Sequence, residues 1–200
     1  MNDEILVLYY SRHGNTEKLA RLIARGIGLV DGMQARLRQV PPVAPVTDVA
    51  QPPIPDAGAP YVEKRDLADC AGLIVGSPTR FGNMAAPMKH FLDSTAAEWA
   101  SGALVGKPGA VFTSTGTLHG GQESTLLTML VPLLHHGMLI VGIPFTETVL
   151  NTTRSGGTPY GASHLAGVRH DLDISDDERT LALALGKRVA DVARRLGPRA

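Results

Sequence analysis

A single cysteine, Cys70, occurs in the 200 residues, so the chain has no partner for an intrachain disulfide and no thiolate metal cluster. It lies beside the apolar run at Leu73 and reads as a small core residue. Charge of either sign is not in excess either, with 19 Lys and Arg against 19 Asp and Glu. That balance supplies no field for nucleic acid or an anionic membrane, and no acidic face for docking to basic partners. The seven histidines include no H-E-x-x-H spacing, and adjacent His135 and His136 do not share a helix face, so no metal is expected. The longest apolar region, Leu126 to Phe145, is interrupted by Pro132, His135, His136 and Gly137. It reads as helix, turn and strand rather than a membrane span. The opening MNDEILVLYY places two acids before its apolar run and has no basic n-region, which predicts a cytoplasmic protein without a signal peptide. Neither the Gly-Lys-Ser/Thr of a nucleoside-triphosphate loop nor a G-x-G-x-x-G dinucleotide fingerprint is present.

What remains is a chain with 44% hydrophobic residues, enough for one domain over residues 1–200 with a well-formed core. Its most informative stretch is Ile5 to Ala20. An apolar run from Ile5 to Tyr10 has strand length. From Glu17 the apolar residues recur at Leu19, Leu22, Ile23 and Ile27, which is one face of a helix. Between them Ser11, Arg12, His13, Gly14, Asn15 and Thr16 form a polar loop at the helix N-terminus, where unpaired N–H groups and the helix dipole favour an anion. Ser11, Asn15 and Thr16 offer short polar side chains for phosphate oxygens, and Gly14 permits a positive φ.

Further along, Met33 to Val40 alternates like a strand near a sheet edge. Pro41 to Pro60 holds seven of the fourteen prolines and reads as a surface connector. Lys64 to Ala71 predicts a short helix and Leu73 to Val75 a buried strand ending at Gly76. The second polar loop, Ser77 to Asn83, precedes Met84, Met88, Phe91 and Leu92 at helical spacing. Ala110 to Thr113 is a fourth strand, followed by a third loop, Ser114 to Gln122. The next helix carries Leu126, Leu127, Leu130, Leu133 and Leu134 on one expected face, bent at Pro132 and capped by Gly137. Met138 to Val141 is the fifth strand. The last helix opens on Ser175 and Glu178 in capping-box spacing and stops at Gly197.

Strands alternating with helices predict an α/β, doubly wound five-stranded parallel sheet in the order 2-1-3-4-5, with helices on both faces. In that order the polar loops 11–16, 77–83 and 114–122 leave strand C-terminal ends and converge on one ligand.

The loop SRHGNT resembles the phosphate loop of flavodoxins. Together with SPTRFGNM, FLDST, W-x-S-G-x-L-x-G-K, STGT, GGQE, LLHHGM and GGTPYGA, it makes the chain similar to the WrbA family of FMN-dependent NAD(P)H:quinone oxidoreductases, over about residues 5 to 167. The resemblance implies a flavodoxin-like fold and two-electron reduction of quinones through FMN, by ping-pong hydride transfer with NADH or NADPH as donor. It makes Ser11, Arg12, His13, Gly14, Asn15 and Thr16 the phosphate loop. Pro78, Thr79, Arg80 and Phe81, with Ser114, Thr115, Gly116, Thr117, Leu118, His119 and Gly120, become the walls around the flavin ring. His135 is implied as a further flavin contact and Trp99 as a wall on the substrate side. A homotetramer with active sites at subunit junctions is implied as well. His13 stands where the family commonly has an aromatic residue, and Leu118 and His119 where it has a shorter, glycine-richer stretch. Two other readings share this fold: a flavodoxin-type electron carrier and a non-catalytic partner-binding flavoprotein. A phosphoacceptor receiver domain would need an aspartate where the chain has Gly76-Ser77-Pro78.

Overall fold

Alternation along the first strand divides the core into two. In β1 (Glu4–Tyr9), Ile5, Val7 and Tyr9 face one helix layer, while Leu6 and Leu8 face the other. On the first side they join Ile74, Ala110 and Phe112 beneath α1 (Asn15–Ile27) and α6 (Asp176–Leu196). On the second, Leu73, Val75 and Val111 pack against α2 (Lys64–Asp69), α3 (Ala86–Asp93) and α5 (Gln122–His135), the short α4 (Ala96–Ala100) lying between the last two in the chain. The computed structural model describes residues 3–43, 55 and 57–197. The expected proline-rich connector from Pro41 to Pro60 therefore lies largely outside the described residues.

The sheet runs β2 (Gln34–Gln39), β1, β3 (Gly72–Arg80), β5 (Pro108–Thr115), with β2 on the edge as its alternation predicts. These pairings are all parallel. The fifth position is shared by two short strands. β6 (Leu139–Ile140) pairs with the start of β5 and β7 (Ala162–Leu165) with its end, Phe112 lying opposite Ala162. The expected fifth strand at Met138 to Val141 is thus only the first half of that position, and residues 141–161 loop out between the halves. Two strands also run further than expected. β3 continues through Ser77 to Arg80 and turns back into β4 (Asn83–Met84), and β5 includes Ser114 and Thr115. Polar residues there keep the ladder because the neighbouring strand supplies their backbone partners.

Two helix contacts are set by particular residues. Ser175 caps α6, its hydroxyl accepting from the Glu178 N–H at 3.2 Å while the Glu178 carboxylate accepts from the Ser175 N–H at 3.0 Å. Where α1 crosses α6, a Cβ at Gly186 would overlap the carbonyl oxygen of Ile23, and one at Gly26 the carbonyl oxygen of Leu183. Backbone atoms have no rotamer to yield. Gly186→Ala is therefore expected to cost about 2 kcal/mol net in urea denaturation, since overpacking outweighs a helix-propensity gain of about 1 kcal/mol. An unchanged or raised midpoint would show that the crossing can open freely.

In α5 the leucines do not share one face. Leu126 and Leu133 are buried beside Met129, whereas Leu127, Val131 and Leu134 are 44, 51 and 58% exposed. Consecutive residues on a helix point about 100° apart, so Leu126–Leu127 and Leu133–Leu134 must diverge. Among the described residues, no helix is long and apolar enough to cross a membrane. No group of three or more His, Cys, Asp or Glu among them is placed to hold a metal ion.

Candidate functional site

In a parallel sheet the loops after adjacent strands stand side by side. Here Tyr9 pairs with Gly76, and Pro78 with Ser114, so the segments after β1, at the end of β3 and at the end of β5 meet. Between them lies a cleft of about 90 Å³ lined by Ser11, Arg12, His13, Asn15, Thr16, Pro78, Thr79, Arg80, Ser114, Thr115, Gly116 and His170.

The floor is buried and polar. Asn15, Thr16, Ser114 and Thr115 are each at most 6% exposed. The Ser11 hydroxyl accepts from the Glu17 N–H at 3.3 Å in the first turn of α1. Gly14 turns the chain into the helix with φ +80°, and a Cβ there would enter open space rather than protein. Asn15 donates through Nδ2 to the His170 carbonyl at 3.3 Å, yet its Oδ1 is buried without a partner. A buried acceptor in that condition costs about 1–3 kcal/mol unless a ligand or water donates to it.

The walls are held by their own hydrogen bonds. The Thr79 and Thr125 hydroxyls are 2.8 Å apart, and the Thr115 hydroxyl donates to the Thr117 carbonyl at 2.9 Å. The hairpin tip places Phe81 at φ +52° with its ring fully in solvent. A non-glycine residue held there is uncommon and suits a side chain displayed for contact.

The rim carries two arginines and two histidines. Arg12, His13 and His170 are exposed and Arg80 is half-buried. The imidazoles of His13 and His170 stack with centroids 4.5 Å apart and planes 16° from parallel. Partial desolvation, followed by the charges of His170, Arg12 and Arg80, holds His13 below the usual imidazole range.

The structure thus gathers most of the expected flavin contacts on one chain. Gly14 belongs to the same loop and Phe81 to the adjacent tip, while Thr117, Leu118, His119 and Gly120 form the turn beyond Gly116, closed by the Gly120 N–H to Thr117 carbonyl bond at 3.1 Å. His135 and Trp99 are not in this cleft. α5 starts beside it and carries His135 about 20 Å away along its axis. There the Trp99 indole donates to the His135 carbonyl at 2.8 Å, and both line a separate cavity of about 470 Å³ with Pro132 and His136. Sequence reasoning misses His170. It follows β7, a short polar strand with no clear sequence signal, and nothing in the spacing of VRHD ties it to His13.

Residues 4–146 match the family model described as NADPH-dependent FMN reductase. The chain belongs to that family. A relative from Syntrophobacter fumaroxidans, named NAD(P)H dehydrogenase (quinone), is 42% identical over 200 residues, covering 96% of this chain and 98% of its own. Among solved structures, a WrbA-like flavodoxin from Agrobacterium tumefaciens is 23% identical with a TM-score of 0.67, covering 96% of this chain and 98% of its own. Oxidised flavodoxin 1 from Bacillus cereus is 18% identical with a TM-score of 0.60, covering 94% and 97%. The latter two bear on the fold, which is flavodoxin-like.

Proposed function

We propose that the chain is a cytoplasmic FMN-dependent NAD(P)H:quinone oxidoreductase, acting as a homotetramer of one-domain chains. The observation that carries this reading is the buried hydroxyl-and-amide floor at the N-terminus of α1, with its unpartnered Asn15 Oδ1. That floor fits the group. Ser11, Asn15, Thr16 and the amides after Gly14 suit a phosphate monoester, and Asn15 Oδ1 suits a hydroxyl donor next to it. Bound there, FMN supplies two-electron hydride chemistry between nicotinamide and quinone.

The chain's own residues then bind and orient. Thr79, fixed by Thr125, and Ser114 to Gly116 hold the walls. About 90 Å³ is well below the 300–1,000 Å³ of a closed small-molecule site, which supports completion of the site by a second protomer. In this reading Trp99 and His135, clustered about 20 Å from their own cleft, serve the cleft of a neighbour. Trp99 walls its open side, and His135 donates a hydrogen bond toward developing negative charge. Both substrates are flat rings, and the quinone takes the place of the spent donor in a shared pocket.

Anaerobic mixing of FMN-loaded protein with NADH should bleach the flavin absorbance, and benzoquinone should restore it. Steady-state double-reciprocal lines should be parallel. A flavin that NADH leaves oxidised would favour an electron carrier instead. Thr16→Val should weaken FMN retention about tenfold, one charge-assisted hydrogen bond of about 1.4 kcal/mol. Unchanged affinity on flavin titration would remove the phosphate from this loop.

A further inference from the structure

Two histidines stand side by side at the end of α5, His135 exposed and His136 buried. His136 lines the cavity of about 470 Å³ together with Trp99 and His135. Its Nε2 is 3.0 Å from the Thr95 hydroxyl, which immediately precedes α4. That hydroxyl gives its single hydrogen to the Leu92 carbonyl at 2.7 Å, so the imidazole is the donor and carries its proton on Nε2. Nδ1 is then a bare acceptor, buried and without a hydrogen-bond partner. Burial holds His136 below the usual imidazole range, with the Glu98 charge opposing this and the His135 charge adding to it, and the ring is neutral at neutral pH. A leucine would fill the same space and leave no orphaned acceptor behind. Packing alone therefore does not account for a histidine at this place.

The bond from His136 closes a circuit. The Trp99 N–H donates to the Thr95 carbonyl at 2.9 Å across the first turn of α4, and the Trp99 indole donates to the His135 carbonyl at 2.8 Å. The next residue, His136, returns through its ring to Thr95. None of the five residues of α4 is buried, so that helix has little packing of its own and takes its place from such bonds. We infer that His136 is a positioning residue, whose Nε2–H fixes α4 against the end of α5 and thereby sets Trp99 and His135 in the arrangement they present to a neighbouring cleft. This rests on the reading of Trp99 and His135 as groups supplied to a second protomer. His136 touches neither substrate nor cofactor and acts only through Trp99 and His135.

Trp99 is the chain's one tryptophan, so the emission anisotropy of the FMN-loaded protein reports its freedom of motion. His136→Leu should lower that anisotropy and raise KM for benzoquinone about fivefold, with FMN retention and sedimentation as in the wild type. Thr95→Val removes the same hydrogen bond from its other side and should give the same two changes, which decides the matter if the leucine variant fails to fold. His136→Gln keeps an amide N–H within reach of the Thr95 hydroxyl and should recover most of both. Wild-type anisotropy in either folded variant, or a glutamine variant no better than the leucine one, would overturn the proposal. So would a lowered melting temperature with anisotropy and KM unchanged, since His136 would then have a structural role only. Trp99→Ala separates this inference from the reading beneath it. If that variant reduces benzoquinone with the wild-type KM, Trp99 is no substrate wall, and the anisotropy then decides the positioning alone.

Discussion

Replacing Glu178 by alanine is expected to lower the unfolding free energy by about 3–5 kcal/mol, because it leaves several buried donors without their acceptor at once. Glu178 is 1% exposed, and four donors converge on its carboxylate. Oε1 accepts from the Gly156 and Leu165 N–H groups, each at 2.8 Å, and Oε2 from the Ser175 N–H at 3.0 Å and His164 Nδ1 at 2.9 Å. Those donors belong to the returning loop, the end of β7 and the first turn of α6, so one side chain fastens the three segments that lead to His170. Urea denaturation measures the loss, and flavin titration should show weaker FMN retention with it, because Asn15 leans on the His170 carbonyl. Burial works to raise the Glu178 pKa, but the hydrogen bonds from His164, Leu165 and Ser175 and the His164 charge outweigh it and hold it below the ordinary value of 4.5. A depressed carboxyl stabilises the fold above its unfolded pKa and loses that contribution as pH falls through its folded pKa. The gap between wild type and Glu178→Ala should therefore be full at neutral pH and narrow below about pH 4.5. A gap that widened on acidification would reverse the assignment of charge.

The first loop is legible because the sequence changes period there, from an apolar run to helical spacing, and a glycine marks the junction. The ends of β3 and β5 are not. Ser77 to Arg80 and Ser114 to Thr115 are strands by virtue of their neighbours' backbone groups, and polar side chains facing a cleft carry no alternation to betray them. The second half of the fifth sheet position, Ala162 to Leu165, is four residues long and separated from the first by a long excursion, so no local pattern links the two. His170 escapes for the same reason, since a residue placed by an unread strand has no readable position. The divergence of Leu127 and Leu134 from Leu126 and Leu133 follows from helical geometry, and the pairs of adjacent leucines hide it. Only the resemblance to a family singles out His135 and Trp99, which the fold sets about 20 Å from the cleft along α5.

Association of protomers carries the largest expected change in activity. Leu127, Val131 and Leu134 recur at helical spacing on the outward face of α5, and Trp99, Val105 and Leu139 are exposed by 57, 48 and 46%. Gly106 donates to the Gly137 carbonyl at 2.7 Å and Leu139 to the Lys107 carbonyl at 2.9 Å, which brings the turn holding Val105 against the end of α5. Apolar surface gathered this way on a globular fold marks an interface. In the proposed assembly a second copy of the chain would cover the patch and bring its Trp99 and His135 to an open cleft. Leu134→Glu places a charge in the middle of the patch, where burial without a partner costs several kcal/mol. It leaves the monomer's core untouched, because Leu134 is 58% exposed. Sedimentation should then show smaller species with a native circular dichroism spectrum and FMN still bound through Ser11 to Thr16. Quinone reduction should fall about a hundredfold, the scale of losing positioned groups around a reacting centre. Adding back excess protein should restore little of it, since the charge opposes association at every concentration. Full activity in a dispersed Leu134→Glu protein would mean that one chain suffices for catalysis, and that the pairing of Trp99 with His135 serves packing alone.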